Sequence, residues 1–150
     1  LSDQTDNYFK EKIMSAASNY LENKVLDHVL TATAYSAPAN RFLALFTGTA
    51  ADVLGRLEAG TLTDEVTTSG SAYIRKAVTF GAASGGSSAT NATVTFDAAT
   101  SNWGTVTCIA IMDAVSGGNV LFYGQVTTAK TIETGDTFQV SSGNLTVALA

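Results

Sequence analysis

His28 and Cys108 are the lone histidine and lone cysteine of the 150-residue chain, so nucleophilic or metal chemistry would have to be built on them. A Cys–His pair needs the thiol as nucleophile and the imidazole as a base oriented by a third group. Cys108 sits inside Val106-Thr107-Cys108-Ile109-Ala110-Ile111, an apolar run in which a thiol is expected to be buried and inert. His28 lies between Asp27 and Val29 at the edge of an apolar helical face, where a surface or boundary role is expected. A zinc site would need carboxylates to complete its ligands, and no pair here has metal spacing.

Paired carboxylates serve glycoside hydrolysis. Asp64-Glu65 falls in a loop region, and Asp97, Asp113 and Asp136 each fall at the end of an expected strand, where Asp commonly forms turns. Gly81-Ala82-Ala83-Ser84-Gly85-Gly86 is followed by no Lys-Ser or Lys-Thr and by no helix, so it does not cradle phosphates as a P-loop would. Trp103 could stack on a sugar, but a sugar site normally groups several exposed aromatics. Covering one end of a core is the expected role. The chain is therefore read as a non-enzyme with no cofactor and no metal.

Composition agrees with that reading. Hydrophobic residues make up 45% and charged residues only 14%, well below the roughly 25% charge of an average soluble domain. Such a surface can join an assembly with little charge desolvation. Eight Lys and Arg, scattered, and a net charge of -5 exclude a phosphate-binding footprint. One cysteine allows no internal disulfide and favours synthesis in the cytoplasm. No apolar stretch approaches the roughly 18 residues needed to span a bilayer, and the start Leu1-Ser2-Asp3-Gln4 has no signal-peptide pattern.

Residues from about Asp6 to Leu30 carry helical periodicity: Phe9, Ile13, Ala17, Tyr20, Leu21, Val25, Leu26 and Val29 recur at spacings of three and four. Asn19 and Glu22 have capping-box spacing, so either one helix or two are expected, the second running from Tyr20 to about Thr31 and ending before Ala37-Pro38. From Arg41 the pattern changes to short β-rich runs. Phe42 to Phe46 is apolar on both faces, as a central or helix-covered strand would be. Gly48 to Gly70 reads as a long loop and contact arm, with at most one helical turn at Val53, Leu54 and Leu57 because Gly55 interrupts it.

Ala72 to Phe80 alternates, with Ile74, Lys76, Val78 and Phe80 on one face. Gly81 to Ser88 reads as a flexible connection, Thr93 to Phe96 as a strand with Val94 and Phe96 inward, and Thr105 to Asp113 as a long strand. Ser116-Gly117-Gly118-Asn119 turns it into Val120 to Val126 as a hairpin. Thr137 to Val140 and Leu145 to Leu149 complete about seven strands. The expected fold is mainly β, an antiparallel or nearly antiparallel sandwich over 41–150, with an N-terminal helical arm over 1–40.

The run Tyr20 to Leu30, followed by Arg41 to Thr47, resembles the start of small bacteriophage virion proteins often labelled tail fibre proteins. Tyr73 to Phe80 with Gly81-Ala82-Ala83, Trp103 to Thr107, Ser116 to Asn119 and Gly135 to Phe138 extend the resemblance from about Asn19 to the C-terminus. The first eighteen residues and Asp52 to Glu65 look like departures from the short family form. The resemblance implies a β-rich structural protein of the phage particle, made in the host bacterial cytoplasm, without fixing its place in the particle.

Three functions follow as expectations. The first is a capsid decoration (cement) protein that binds the major capsid protein and stabilises the head. The second is a tail or fibre component, and the third a host-glycan-binding module. Expected partners are the major capsid protein or other virion proteins and further copies of the chain; nucleic acid and membrane are not expected, carbohydrate is kept only as an unfavoured alternative, and a hydrolase ranks last. The residues expected to touch partners are Phe9, Ile13, Tyr20, Leu21 and Val25 on the arm, and Val53, Leu54 and Leu57 in the loop.

Overall fold

A computed structural model describes residues 7–9 and 13–149, with side chains from Ala16 onward. It is mainly β. Strands β1 (Asn7–Phe9) and β2 (Ile13–Ala17) precede helix α1 (Asn19–Leu30), strand β3 (Phe42–Thr47) and helix α2 (Ala50–Glu58). Then come β4 (Lys76–Ala77), β5 (Ser87–Ala89), β6 (Val94–Thr95), β7 (Gly104–Met112), β8 (Val120–Ile132), β9 (Phe138–Val140) and β10 (Leu145–Ala148). Seven of them form one sheet in the order β4-β3-β7-β8-β2-β10-β5, and β1-β9-β6 form a small second one. The result is sandwich-like.

The centre is the β3–β7–β8 ladder, antiparallel throughout. Over β3, the later part of β7 and the start of β8 both faces are apolar because both are covered. Leu43, Leu45, Ile109, Ile111 and Leu121 belong to one core cluster with Val94, Phe96, Phe138 and Val140 of the second layer. Ala44, Phe46, Cys108, Ala110 and Met112 belong to another with Val53 and Leu57 of α2. The doubly apolar run Phe42 to Phe46 is thus a central strand, as expected; α2 rather than the N-terminal helix covers its other face.

Helix α2 corrects the reading of Gly48 to Gly70 as a loop. Gly55 costs roughly 1 kcal/mol against Ala in a helix, but it faces open space, while Val53 and Leu57 on the opposite side are fully buried. Burial of two such side chains, worth about 1.5–3 kcal/mol each, outweighs the glycine. Asp52 in the first turn and Arg56 in the last oppose the ends of the helix dipole favourably.

The N-terminal segment corrects the helical reading of Asp6 to Leu30. Residues 7–9 and 13–17 are strands, and the helix begins only at Asn19. β1 pairs with β9 and β2 with β10, both parallel, so the sheets are not wholly antiparallel either. Spacings of four at Phe9, Ile13 and Ala17 satisfy a strand's period of two as well as a helix's period, and distant partners settle the choice. The cap is Ser18, not Asn19: its Oγ accepts from Leu21 N at 3.2 Å. With Leu21 in the position a capping box gives to Glu or Gln, Glu22 has no box to close. α1 stops at Leu30, with Ala32 in the left-handed region at φ 58°, well before Pro38.

Between Ala72 and Phe80 only Lys76–Ala77 are in a strand, which corrects the reading of the whole run as one; at its start Tyr73 and Arg75 are buried and Ile74 is exposed. Gly81 to Ser88 is no flexible connection. Ser84 and Ser87 exchange both backbone hydrogen bonds, at 2.9 and 3.1 Å, across Gly85 and Gly86. Both glycines have positive φ, which a two-residue hairpin turn of this hand requires. The β7–β8 hairpin and the inward Val94 and Phe96 are as expected.

Candidate docking surface

α1 is attached to the sheet by its first turn. Ser18 N donates to Leu121 O at 3.0 Å, its Oγ donates to Val120 O, and Leu21 is buried beneath it. Beyond that turn the helix rises away from cover. Val25 is 40% exposed, Leu26 54%, Val29 70% and Leu30 73%, so an apolar stripe two side chains wide faces out. Burying such a stripe in a partner is worth about 25 cal/mol per Å².

The stripe opens onto a groove in the seven-stranded sheet. A cleft of about 280 Å³ lies between Leu21 and Val25 of α1, Tyr35, and Leu121 and Phe122 of β8. A neighbouring cleft of about 320 Å³ runs on to Phe80, Val147 and the β5 hairpin. The two share Arg41, Leu121, Phe122 and Leu149, and together they are the open mouth of the main core, where Ile111, Leu121 and Val147 come near the surface. Among the described residues, Arg41 is the single charged one in either wall. Its Nη1 donates to Pro38 O at 2.9 Å, and burial together with the nearby Tyr20 and Asp113 pushes the Tyr35 phenol pKa up.

Of the residues expected to touch partners, Leu21 and Val25 meet in this groove and the half-buried Tyr20 packs against the core beside it. Val53 and Leu57 are fully buried within the chain and Leu54 packs against the same cluster, so the loop contact is withdrawn: these side chains hold α2 to the sheet. Phe9 and Ile13 lie on β1 and β2, and their side chains lie outside those described. Sequence reasoning missed the groove, because Arg41, Phe80, Leu121 and Val147 come from four separate segments.

The groups able to do chemistry are placed as structural elements. Cys108 is buried under α2, with Sγ 3.8 Å from Ala50 O, and burial raises its thiol pKa. His28 Nδ1 accepts from Tyr35 N at 3.2 Å on the exposed side of α1. Trp103 is 6% exposed and donates through Nε1 to Ser71 O at 2.8 Å. Among the described residues no three His, Cys, Asp or Glu gather where they could hold a metal ion.

The most tightly built polar cluster lies elsewhere. Arg75, 5% exposed, donates to both oxygens of Glu65 at 2.7 Å and to Ala114 O and Gly117 O at 2.7 and 2.8 Å. Tyr73 Oη donates to the same carboxylate at 2.7 Å and accepts from Leu45 N at 3.0 Å. Burial, with the Glu65 charge next, raises the Tyr73 pKa far above its ordinary range. The cluster ties the α2–β4 segment to the β7–β8 turn and leaves no group free to react.

The model of one family, the podophage GP4 fiber I protein gp80, matches residues 16–148. The chain belongs to that family. Comparison with curated proteins gives no match. Membership makes the molecule a bacteriophage structural protein and places it in the virion. In the gp80-family chain, α1 and the groove walls apart from Leu149 fall inside the matched span, whereas β1 and the first residues of β2 precede it.

Proposed function

We propose that this gp80-family protein is a decoration, or cement, subunit of the phage head, which binds the major capsid protein and stabilises the shell without making or breaking bonds. The observation that carries the reading is the apolar surface formed by the α1 stripe and the adjoining groove, which suits the chain to burial against neighbouring subunits of a shell, further copies of itself among them. Monomeric proteins rarely expose a large contiguous apolar patch without a partner for it. A compact, lightly charged domain repeated over a symmetric lattice turns a modest contact into firm attachment through multiplicity.

A second reading, a tail or fibre component, is favoured by the family's own description as a fiber protein. Copy number separates the two. Gel densitometry of purified particles is expected to give hundreds of copies per virion for a head subunit; a few or a few dozen would move the chain to the tail. The glycan-binding reading has lost its aromatic platform, since the Trp103 ring is buried and its N–H is bonded within the chain. The same proposal holds that the protein has no catalytic activity and no cofactor.

A further inference from the structure

We propose that the groove receives the outer half of α1 from a second copy of this chain, so that two copies exchange these helices about a two-fold axis. The inference rests on the docking reading above and names the partner of that same surface.

Shape is the first argument. Leu26, Val29 and Leu30 have the i, i+3, i+4 spacing with which an amphipathic helix enters an apolar groove, and Val29 and Leu30 are the most exposed of the large hydrophobic side chains described. The Ser18 anchor holds α1 at the rim of its own groove, so the stripe is left open to another molecule.

Charge is the second. Arg41 is the cation of the groove and uses Nη1 on a backbone carbonyl. Asp27 flanks the stripe between Leu26 and Val29, exposed, and its carboxylate takes part in none of the ion pairs formed among the described residues. An α1 lying in a neighbour's groove carries this carboxylate to Arg41, where a planar guanidinium can bind it through two hydrogen bonds.

Continuity is the third. Val25 belongs both to the stripe and to the groove wall, so a helix laid in the groove lies alongside α1. A two-fold axis between the helices fills both grooves at once, as a self-complementary interface requires. One helix stripe alone falls short of the roughly 800 Å² per partner typical of stable complexes; reciprocal exchange counts stripe and groove together on each copy.

Sedimentation velocity of the purified chain tests this. The wild type is expected to be a dimer, and Leu26→Glu/Leu30→Glu to weaken it at least about 100-fold with an unchanged circular dichroism spectrum, because both positions are exposed. Asp27→Arg and Arg41→Asp are each expected to weaken the dimer about tenfold or more, and the two together to restore it. Should Arg41→Asp fail to fold, Arg41→Gln takes its place as the single variant and the exposed leucine pair decides. A wild type that stays monomeric at about 100 μM, a dimer indifferent to the leucine variant, or a folded charge swap without recovery overturns the proposal. Monomers that still join particles refute helix exchange alone, whereas absence of the chain from particles refutes the docking reading itself.

Discussion

Replacing Arg75 with methionine is expected to lower the unfolding free energy by about 3–5 kcal/mol, read from urea denaturation. The guanidinium is only 3% exposed and the Glu65 carboxylate 16%. Removing the cation strands a largely buried negative charge and leaves the carbonyls of Ala114 and Gly117 without their donor. The dominant cost is the unpaired carboxylate rather than the lost attraction. Arg75→Met combined with Glu65→Gln is therefore expected to recover part of the loss, because neutral Gln can still accept from Tyr73. Equal destabilisation in the single and double variants would show that the charge is not what matters.

Trp103→Ala is expected to cost about 3–5 kcal/mol, the usual range for emptying a buried aromatic site. The indole meets Tyr73 and Phe96 edge-on at centroid distances of 5.4 and 6.2 Å, and Phe138 meets Phe96 at 5.6 Å. Its loss opens a cavity between the two layers and removes the bond to Ser71 O. Trp103→Phe keeps most of the volume and is expected to cost less than half as much. A stable Trp103→Ala protein, with a melting temperature within a degree or two of wild type, would contradict the placement of this ring in the core.

The β-rich centre was legible because its information is local. Alternation and turn chemistry mark β7, β8 and the hairpin at Gly117-Gly118, and the two-faced run at Phe42 to Phe46 announces a strand covered on both sides. What failed depended on distant partners. The first strands gain hydrogen bonds from β8, β9 and β10, more than a hundred residues away, and nothing in their own spacing distinguishes them from a helix. α2 was hidden by Gly55, whose cost is repaid only when Val53 and Leu57 meet Ala44 and Ala110 across the sheet.

The docking surface was half legible. The sequence marks the apolar stripe of α1, and Leu21 and Val25 lie where that stripe enters the groove. The opposite wall is assembled from β8, β10 and the segment after β4, which only the tertiary fold brings together. Arg75 carried a weak signal: it alternates with Tyr73 in the run from Ala72 to Phe80, and both side chains are buried on the same side. The partner Glu65, ten residues earlier, reads in the sequence as a loop carboxylate.

On the reading proposed above, this phage structural protein acts by burying the α1 stripe and its groove against other protein subunits. Cryo-microscopy of the intact particle, at a resolution that shows side chains, tests it most directly. Density from a neighbouring chain is expected over Leu26, Val29 and Leu30 and within the cleft between Phe80 and Phe122. A particle-bound copy in which that helix face and that cleft both open to solvent would contradict it.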